Sequence, residues 1–222
     1  ILLLNPDTQV EPGAIGQMSR FLDDNQSAGA VGPMLLGLDG AMQQSASPAP
    51  SLLRELSRMF RIDGLLPSAT YDTKRWDMDR PHEVDVLQGA CFMLRRDSLE
   101  QVGLLDEDYF MYSEEVDLCY RLRKAGWSIH WLPQAKVMHH GGQSSKQVPV
   151  ESFLNLYKGK ITYFRKQHGM ATAFAYKLIL ATASIARLMV SPLALLDQRE
   201  RRDRHLALAG RYRRLLMELP SL

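Results

Sequence analysis

The period of the hydrophobic positions changes several times along the chain, and each change predicts an element. Ile1-Leu2-Leu3-Leu4 is an unbroken apolar run that predicts a buried strand. Asn5-Pro6-Asp7 ends it, because proline fixes φ and lacks a donor while Asn and Asp favour turns. Ala14, Ile15, Met18, Phe21 and Leu22 then recur at helical spacing, which predicts an amphipathic helix over residues 12–25 with Pro12 in its first turn. Residues 28–33 and 34–38 read as two short strands, the second leading into the turn Asp39-Gly40. A loop over 43–50 precedes an amphipathic helix over about 52–62. Residues 63–83 show no period and mix charge with Pro67, Trp76 and Pro81, so a long surface segment able to cover a cleft is expected.

Residues 84–95 regain β character with Gly89-Ala90 at their centre. A glycine inside a strand marks either the close approach of a ligand or backbone, or a bulge. A short helix over 97–102 follows, then a helix from 114 to 125 stopped by Gly126, then strands over 128–132 and 135–139 separated by Pro133. Alternation of strand and helix implies an α/β fold class with a mixed sheet flanked by helices. Beyond Val150 the composition shifts. A helix carrying Phe153, Leu154, Leu156, Tyr157, Ile161 and Phe164 together with Lys158, Lys160, Arg165 and Lys166 ends near Gly169, and residues 170–196 are then largely apolar. Lys177, Arg187 and Pro192 break that segment into runs of about nine, short of the roughly twenty residues a clean span needs. It can lie in a membrane interface between its basic flanks, or pack on its own domain.

Three carboxylates open the helix that follows the aromatic run Tyr109-Phe110-Met111-Tyr112. Ser113 is suited to cap it, and Glu114, Glu115 and Asp117 sit where the helix dipole favours negative charge, which is sufficient reason for an acidic first turn without any chemistry. Geometry adds to that. At about 100° per residue, Glu114, Asp117 and Arg121 share a polar stripe, whereas Glu115 points with Leu118, Cys119 and Leu122. A carboxylate aimed at an apolar face is costly unless paired or raised in pKa, and a raised pKa suits a general base near neutrality. Glu115 is therefore the candidate base.

Composition narrows the classes. With 222 residues, 45% hydrophobic and 23% charged, the chain is globular, and a net charge of +2 does not call for nucleic acid. Arginines gather near the C-terminus, from Arg199 to Arg214, as if to meet an acidic surface. Cys91 and Cys119 are far apart and lack C-x-x-C spacing, so they indicate neither a zinc site nor a disulfide framework. Opening inside an apolar strand, the chain is expected to be the C-terminal part of a longer protein.

Taken in order, Leu-Leu-Asn-Pro-Asp-Thr, the Gly-Ala strand ending in Arg95-Arg96, Phe110-Met111-Tyr112, Glu-Glu-Val-Asp-Leu-Cys with Arg121, Gly126-Trp127 and His139-His140-Gly141-Gly142 resemble the family-2 glycosyltransferases of GT-A fold, especially bacterial rhamnosyltransferase-like members. The resemblance covers residues 1 to about 145. It implies a partial GT-A catalytic domain over 1–145, lacking the N-terminal nucleotide-binding units, and a helical, membrane-associated region over 146–222. It further implies an inverting transfer of a sugar, rhamnose in this reading, from a dTDP- or UDP-linked donor to a glycan or lipid-linked acceptor on the inner face of the cell membrane, with Mg²⁺ or Mn²⁺ as cofactor. By the same resemblance Asn5, Asp7 and His139 hold the metal and the donor diphosphate, and Glu115 is the base. Tyr109, Phe110, Tyr112, Glu114, Asp117, Gly89 and Ala90 fall on the acceptor side, with Phe110 expected to be the most buried aromatic of the three. Two positions depart from the family pattern: Asn5 stands where an acidic residue is usual, and Glu115 where an aspartate is. A scaffold that kept the fold without the donor half is the competing reading, and a metal-dependent phosphohydrolase would need a denser set of His and Asp ligands.

Overall fold

The computed structural model describes residues 1–62, 70–141, 147–192 and 199–222. Pro67, Gly142 and positions 193–196 of the apolar segment, all used in the reading above, lie outside the described residues. In chain order the first half contains β1 (Leu2–Leu4), β2 (Thr8–Val10), α1 (Ala14–Asp24), β3 (Ala28–Leu36), β4 (Met42–Gln43), β5 (Ala46–Ser47) and α2 (Leu52–Met59). The remainder contains β6 (His82–Glu83), β7 (Val86–Leu87), β8 (Cys91–Leu94), α3 (Arg96–Val102), α4 (Glu114–Lys124), β9 (Ser128–His139), α5 (Pro149–His168), α6 (Met170–Val190) and α7 (Arg199–Glu218). Two compact units result. One comprises Ile1–Ala49, Ser68–Glu107 and Glu114–Gln147; the other comprises Pro50–Pro67, Asp108–Ser113 and Val148–Leu222.

The first unit is built on a mixed seven-stranded sheet, so the α/β class expected from the alternation of elements is the one found. Its path is β1-β8-β3-β9-β2, with β4 added to β3 and β6 to β9. The β3–β9 pairing is parallel and the others are antiparallel. On one face Leu99 of α3 and Leu118, Cys119 and Leu122 of α4 pack with Ala30, Met34, Phe92, Leu94, Ile129 and Trp131. On the other, Ala14, Met18 and Leu22 of α1 pack with Val31, Leu35, Cys91, Ala135 and Val137. Both cysteines are buried in these cores, as small hydrophobes would be.

Local differences from the sequence reading have physical causes. Residues 28–36 form one strand rather than two, and so do residues 128–139, because the neighbouring strand continues across each break. The break predicted at Pro133 survives as a bulge: Leu132 pairs with Pro33 and Lys136 with Met34, so three residues of β9 are extruded at a proline that has no donor to give. Trp131 and Ile129 therefore face one core while Ala135 and Val137 face the other, although all four are odd-numbered. Gly89-Ala90 is not the centre of a strand. It is a turn between β7 and β8, which belong to different sheets. The stretch 43–50, expected to be loop, contributes the short strands β4 and β5, and Thr8–Val10 forms an edge strand.

Four helices, α2, α5, α6 and α7, form the second unit among its described residues. Tyr157, Ile161, Phe164, Tyr176, Leu180, Tyr212 and Leu215 are buried in it. So is Glu55 of α2, which is 1% exposed, against the expectation that α2 would turn its apolar side inward. Lys160 Nζ stands 2.7 Å from Glu55 Oε2, Arg58 3.4 Å from Oε1, and the Tyr176 hydroxyl donates to Oε2 at 3.2 Å. This saturation of the carboxylate is what a buried charge requires. Burial pushes the Tyr176 phenol well above its ordinary range, with the Glu55 charge acting in the same direction.

Candidate active site

The sheet places several of the sequence-selected residues along one edge. At the end of β1 the Asn5 backbone N–H donates to the Ala90 carbonyl at 2.9 Å, and the Thr8 hydroxyl donates to the Asn5 carbonyl at 2.6 Å. The Asn5-Pro6-Asp7 turn is thereby tied to the Gly89-Ala90 turn on one side. On its other side, Thr8 is in register with His139 and the His140 N–H donates to the Asp7 carbonyl at 2.9 Å.

Asp7 and His139, far apart in sequence, meet at this edge: Asp7 Oδ1 is 3.5 Å from His139 Nε2. His139 is 7% exposed whereas His140 is exposed, as alternation along a strand dictates. The Asn5 side chain is solvent-exposed, and among the described residues no hydrogen bond or ion pair joins it to Asp7 or His139. Gln43 of β4 completes the edge. Its Nε2 donates to the His139 carbonyl at 2.9 Å, and its Oε1 lies 3.0 Å from His139 Nδ1.

At the start of α4, Glu115 turns toward the Gly89-Ala90 turn, and a Cβ added to Gly89 would lie 3.7 Å from Glu115 Cβ. The helical spacing is obeyed, since Leu118, Cys119 and Leu122 on that side are completely buried. Burial pushes the Cys119 thiol up to about 12, with the nearby Glu115 charge adding to the effect, so Cys119 is no nucleophile at neutral pH. Among the described residues Glu114 Oε2 is buried without a hydrogen-bond partner. Asp117 corrects the reading that put it on the acceptor side. It is 0% exposed, and Arg121 Nε donates to its Oδ2 at 2.8 Å while the same guanidinium donates to the carbonyls of Val102, Gly103 and Leu104. The pair fastens α4 to the segment after α3, and the carboxylate cannot reach a ligand in solution. Ala90, 3% exposed and with its carbonyl occupied by Asn5, acts in the same way as a support.

The aromatic run belongs to the second unit. Tyr109 is buried with Lys166 Nζ 5.9 Å above its ring, so its face is not available to a sugar. Phe110 is 81% exposed, the reverse of the expected order of burial. Tyr112 and Ser113 adopt φ of 68° and 71°, two consecutive left-handed residues without glycine. Such positions cost about 1–3 kcal/mol each and persist only where the surroundings impose them. Gly159 of α5 is part of that imposition, because a Cβ there would collide with the Tyr112 carbonyl oxygen. A left-handed Ser113 also departs from the extended backbone usual for a capping serine. No sequence signal pointed to Gln43, which lies in a two-residue strand too short to show a period.

The structure is thus a mixed α/β sheet that brings a carboxylate and an imidazole together at its strand ends, with an acidic helix start beside a glycine turn. Comparison with known proteins identifies the family. Residues 1–153 match the model of Glycosyltransferase like family 2, and the chain belongs to that family. It is 36% identical over 172 residues to the N-acetylglucosaminyl-diphospho-decaprenol L-rhamnosyltransferase of Mycobacterium tuberculosis, covering 76% of this chain and 55% of that protein. A low-salt glycan biosynthesis hexosyltransferase of Haloferax volcanii is 29% identical over 157 residues, covering 71% of this chain and 47% of its own length. A rhamnosyltransferase of Escherichia coli is 29% identical over 84 residues, 38% of this chain and 32% of that protein. The chain thus spans about half the length of the mycobacterial and haloarchaeal relatives.

Proposed function

We propose that the protein is an inverting glycosyltransferase that moves a sugar, rhamnose in our reading, from a dTDP- or UDP-linked donor to a glycan or lipid-linked acceptor. The observation that carries this is the shared sheet edge, where Asp7 meets His139 and the Asn5 turn is tied to the turn that Glu115 faces. The names of the mycobacterial and Escherichia coli relatives support rhamnose, and that of the former supports a polyprenyl diphosphate-linked acceptor. In the reaction the acceptor hydroxyl gives its proton to Glu115 while its oxygen forms a bond to the anomeric carbon. The bond from that carbon to the diphosphate oxygen breaks with its electron pair, and one displacement inverts the configuration. Only one base is needed.

Asp7 and His139 fit a divalent ion. They offer a hard oxygen and an imidazole nitrogen 3.5 Å apart, and two neighbouring ligands on an octahedral ion with bonds of about 2.1 Å stand about 3 Å apart. Among the described residues no group of three or more His, Cys, Asp or Glu side chains could hold an ion. That scarcity suits Mg²⁺ or Mn²⁺, which take one or two protein ligands and complete their shell with phosphate oxygens and water. When bound, such an ion neutralises the charge developing on the leaving diphosphate. The exposed Asn5 amide would offer its oxygen to the same ion and its N–H group to a diphosphate oxygen. Phe110, Tyr112 and Glu114 are the residues we assign to the acceptor after the removal of Tyr109 and Asp117.

Location at the cytoplasmic face of the membrane is part of the proposal. The α6 helix is long and apolar enough to cross a membrane by length and composition, and 28% of its most apolar window is buried. Ala173, Tyr176, Leu180 and Ala183 pack inside the second unit, while Met170, Phe174, Leu178, Ile185 and Met189 form an exposed stripe on the opposite side. A helix with one packed face and an exposed apolar stripe opposite it supports lying in the interface. The test is a screen of nucleotide sugars, with the protein expressed from its complete reading frame and a polyprenyl diphosphate-linked saccharide as acceptor. Transfer from dTDP-rhamnose with inversion at the anomeric carbon is expected; transfer with retention, or donor consumption without acceptor, would overturn the mechanism.

A further inference from the structure

Gln43 is held to His139 by two hydrogen bonds whose directions can be worked out. A backbone carbonyl can only accept, so the Gln43 atom 2.9 Å from the His139 carbonyl is the amide nitrogen, and the amide oxygen is the atom that faces Nδ1 at 3.0 Å. An amide oxygen has no proton, so Nδ1 carries one and donates it. In the neutral ring Nε2 is then left with a lone pair. That lone pair faces Asp7 Oδ1, itself an acceptor, across 3.5 Å, longer than the roughly 2.7–3.2 Å of an N–H···O bond. Two acceptors turned toward each other in a place where the imidazole is 7% exposed leave the space between them suited to a cation.

We infer that Gln43 is a positioning residue that locks His139 in the Nδ1–H tautomer, so that Nε2 and Asp7 Oδ1 present a ready-made pair of ligands to a divalent cation. The assignment rests on the metal-dependent reading above and adds to it a specific partner behind the imidazole. The fold explains how a glutamine reaches that place. β3 and β4 form a hairpin in which Leu35 pairs with Gln43, closed by hydrogen bonds from the Gly37 N–H to the Ala41 carbonyl, from the Gly40 N–H to the Gly37 carbonyl and from the Ala41 N–H to Asp39 Oδ1. The hairpin leaves the sheet beside the end of β9 and delivers one amide to both the main chain and the ring of the same histidine. Partners behind a metal-bound histidine fix its tautomer and orientation, and their loss typically weakens metal binding about 10–100-fold.

The test uses the protein from its complete reading frame, labelled with ¹³C and ¹⁵N histidine and held at about pH 8, above the ordinary histidine range. A His139→Gln variant assigns the ring signals. Ring ¹⁵N and ¹³C shifts should report the Nδ1–H tautomer in the wild type and a mixed or reversed population in Gln43→Leu. Gln43→Glu, which can still accept from Nδ1, should keep the wild-type tautomer. In a titration with Mn²⁺ alone, paramagnetic broadening of the His139 ring should need about tenfold or more metal in Gln43→Leu. It should return toward the wild-type midpoint in Gln43→Glu and be lost in Asp7→Ala. An Nε2–H or doubly protonated ring in the wild type, or the same tautomer and midpoint in Gln43→Leu, would overturn the role of Gln43. Broadening that is absent in the wild type, or unaffected in Asp7→Ala, would instead overturn the metal site, while the tautomer shifts still decide whether Gln43 sets the ring.

Discussion

The two compact units differ in what their polar groups and exposed apolar residues do. In the sheet unit both faces of the sheet are dry, and the groups with chemistry to offer, Asp7, His139 and Glu115, gather at one edge. The helical unit buries an internal carboxylate, Glu55, within an otherwise apolar core, and one side of α6 leaves Phe174, Leu178, Ile185 and Met189 exposed. The difference teaches that the same residue type carries different information in each unit. A glutamate in the sheet unit is a candidate reagent; the glutamate of α2 is a structural hub whose partners are all internal. Outward apolar residues are ordinary when scattered, but a continuous stripe along one helix calls for a surface to cover it.

The largest effect that could break this contrast concerns Glu115. In the protein from its complete reading frame, Glu115→Gln should lower kcat by about two to four orders of magnitude with the melting temperature unchanged, as expected for a general base. Glu114→Gln should do much less, although its Oε2 is also buried. Near-normal turnover in Glu115→Gln would remove the base from this helix position. Conversely, Glu55→Ala should cost about 3–5 kcal/mol of stability in a urea titration, because it leaves the Lys160 ammonium without its partner in a half-dry site. A loss below about 1 kcal/mol would show that the Glu55 cluster is not the hub described. Smallest in stability, and most specific to the outer face, is the triple change Phe174→Ser, Leu178→Ser and Ile185→Ser. It should shift stability by no more than about 0.5 kcal/mol per site yet abolish co-flotation with vesicles containing anionic lipid. Undiminished flotation would sink the membrane role of the stripe.

Much of this was legible in the sequence, and the reason is locality. The exit of β1 at Asn5-Pro6-Asp7, the periodicity of α1 and the one-sided orientation of Glu115 each depend on neighbours within a turn or so of chain. The family resemblance then linked Asp7 to His139 across the chain. What escaped depends on tertiary partners. Pro133 looks like the end of a strand until a continuous parallel neighbour, β3, carries β9 across it. The i, i+4 spacing of Asp117 and Arg121 shows that they can pair, but not that the same guanidinium would bind three carbonyls at the end of α3 and bury the carboxylate. Phe110 and Tyr109 exchange places because the left-handed backbone at Tyr112 and Ser113 redirects the run, and no residue there announces a positive φ. Gln43 had no local signal at all, since its partner is ninety-six residues away.

The bulge in β9 separates length from register. The face that His139 takes is set downstream of the extruded residues, where Val137 pairs with both Leu35 and Val10 and His139 is in register with Thr8. A residue removed between Leu132 and Lys136 would shorten the bulge and leave those pairings in place, so variation in length here should be absorbed with His139 still beside Asp7 and Gln43.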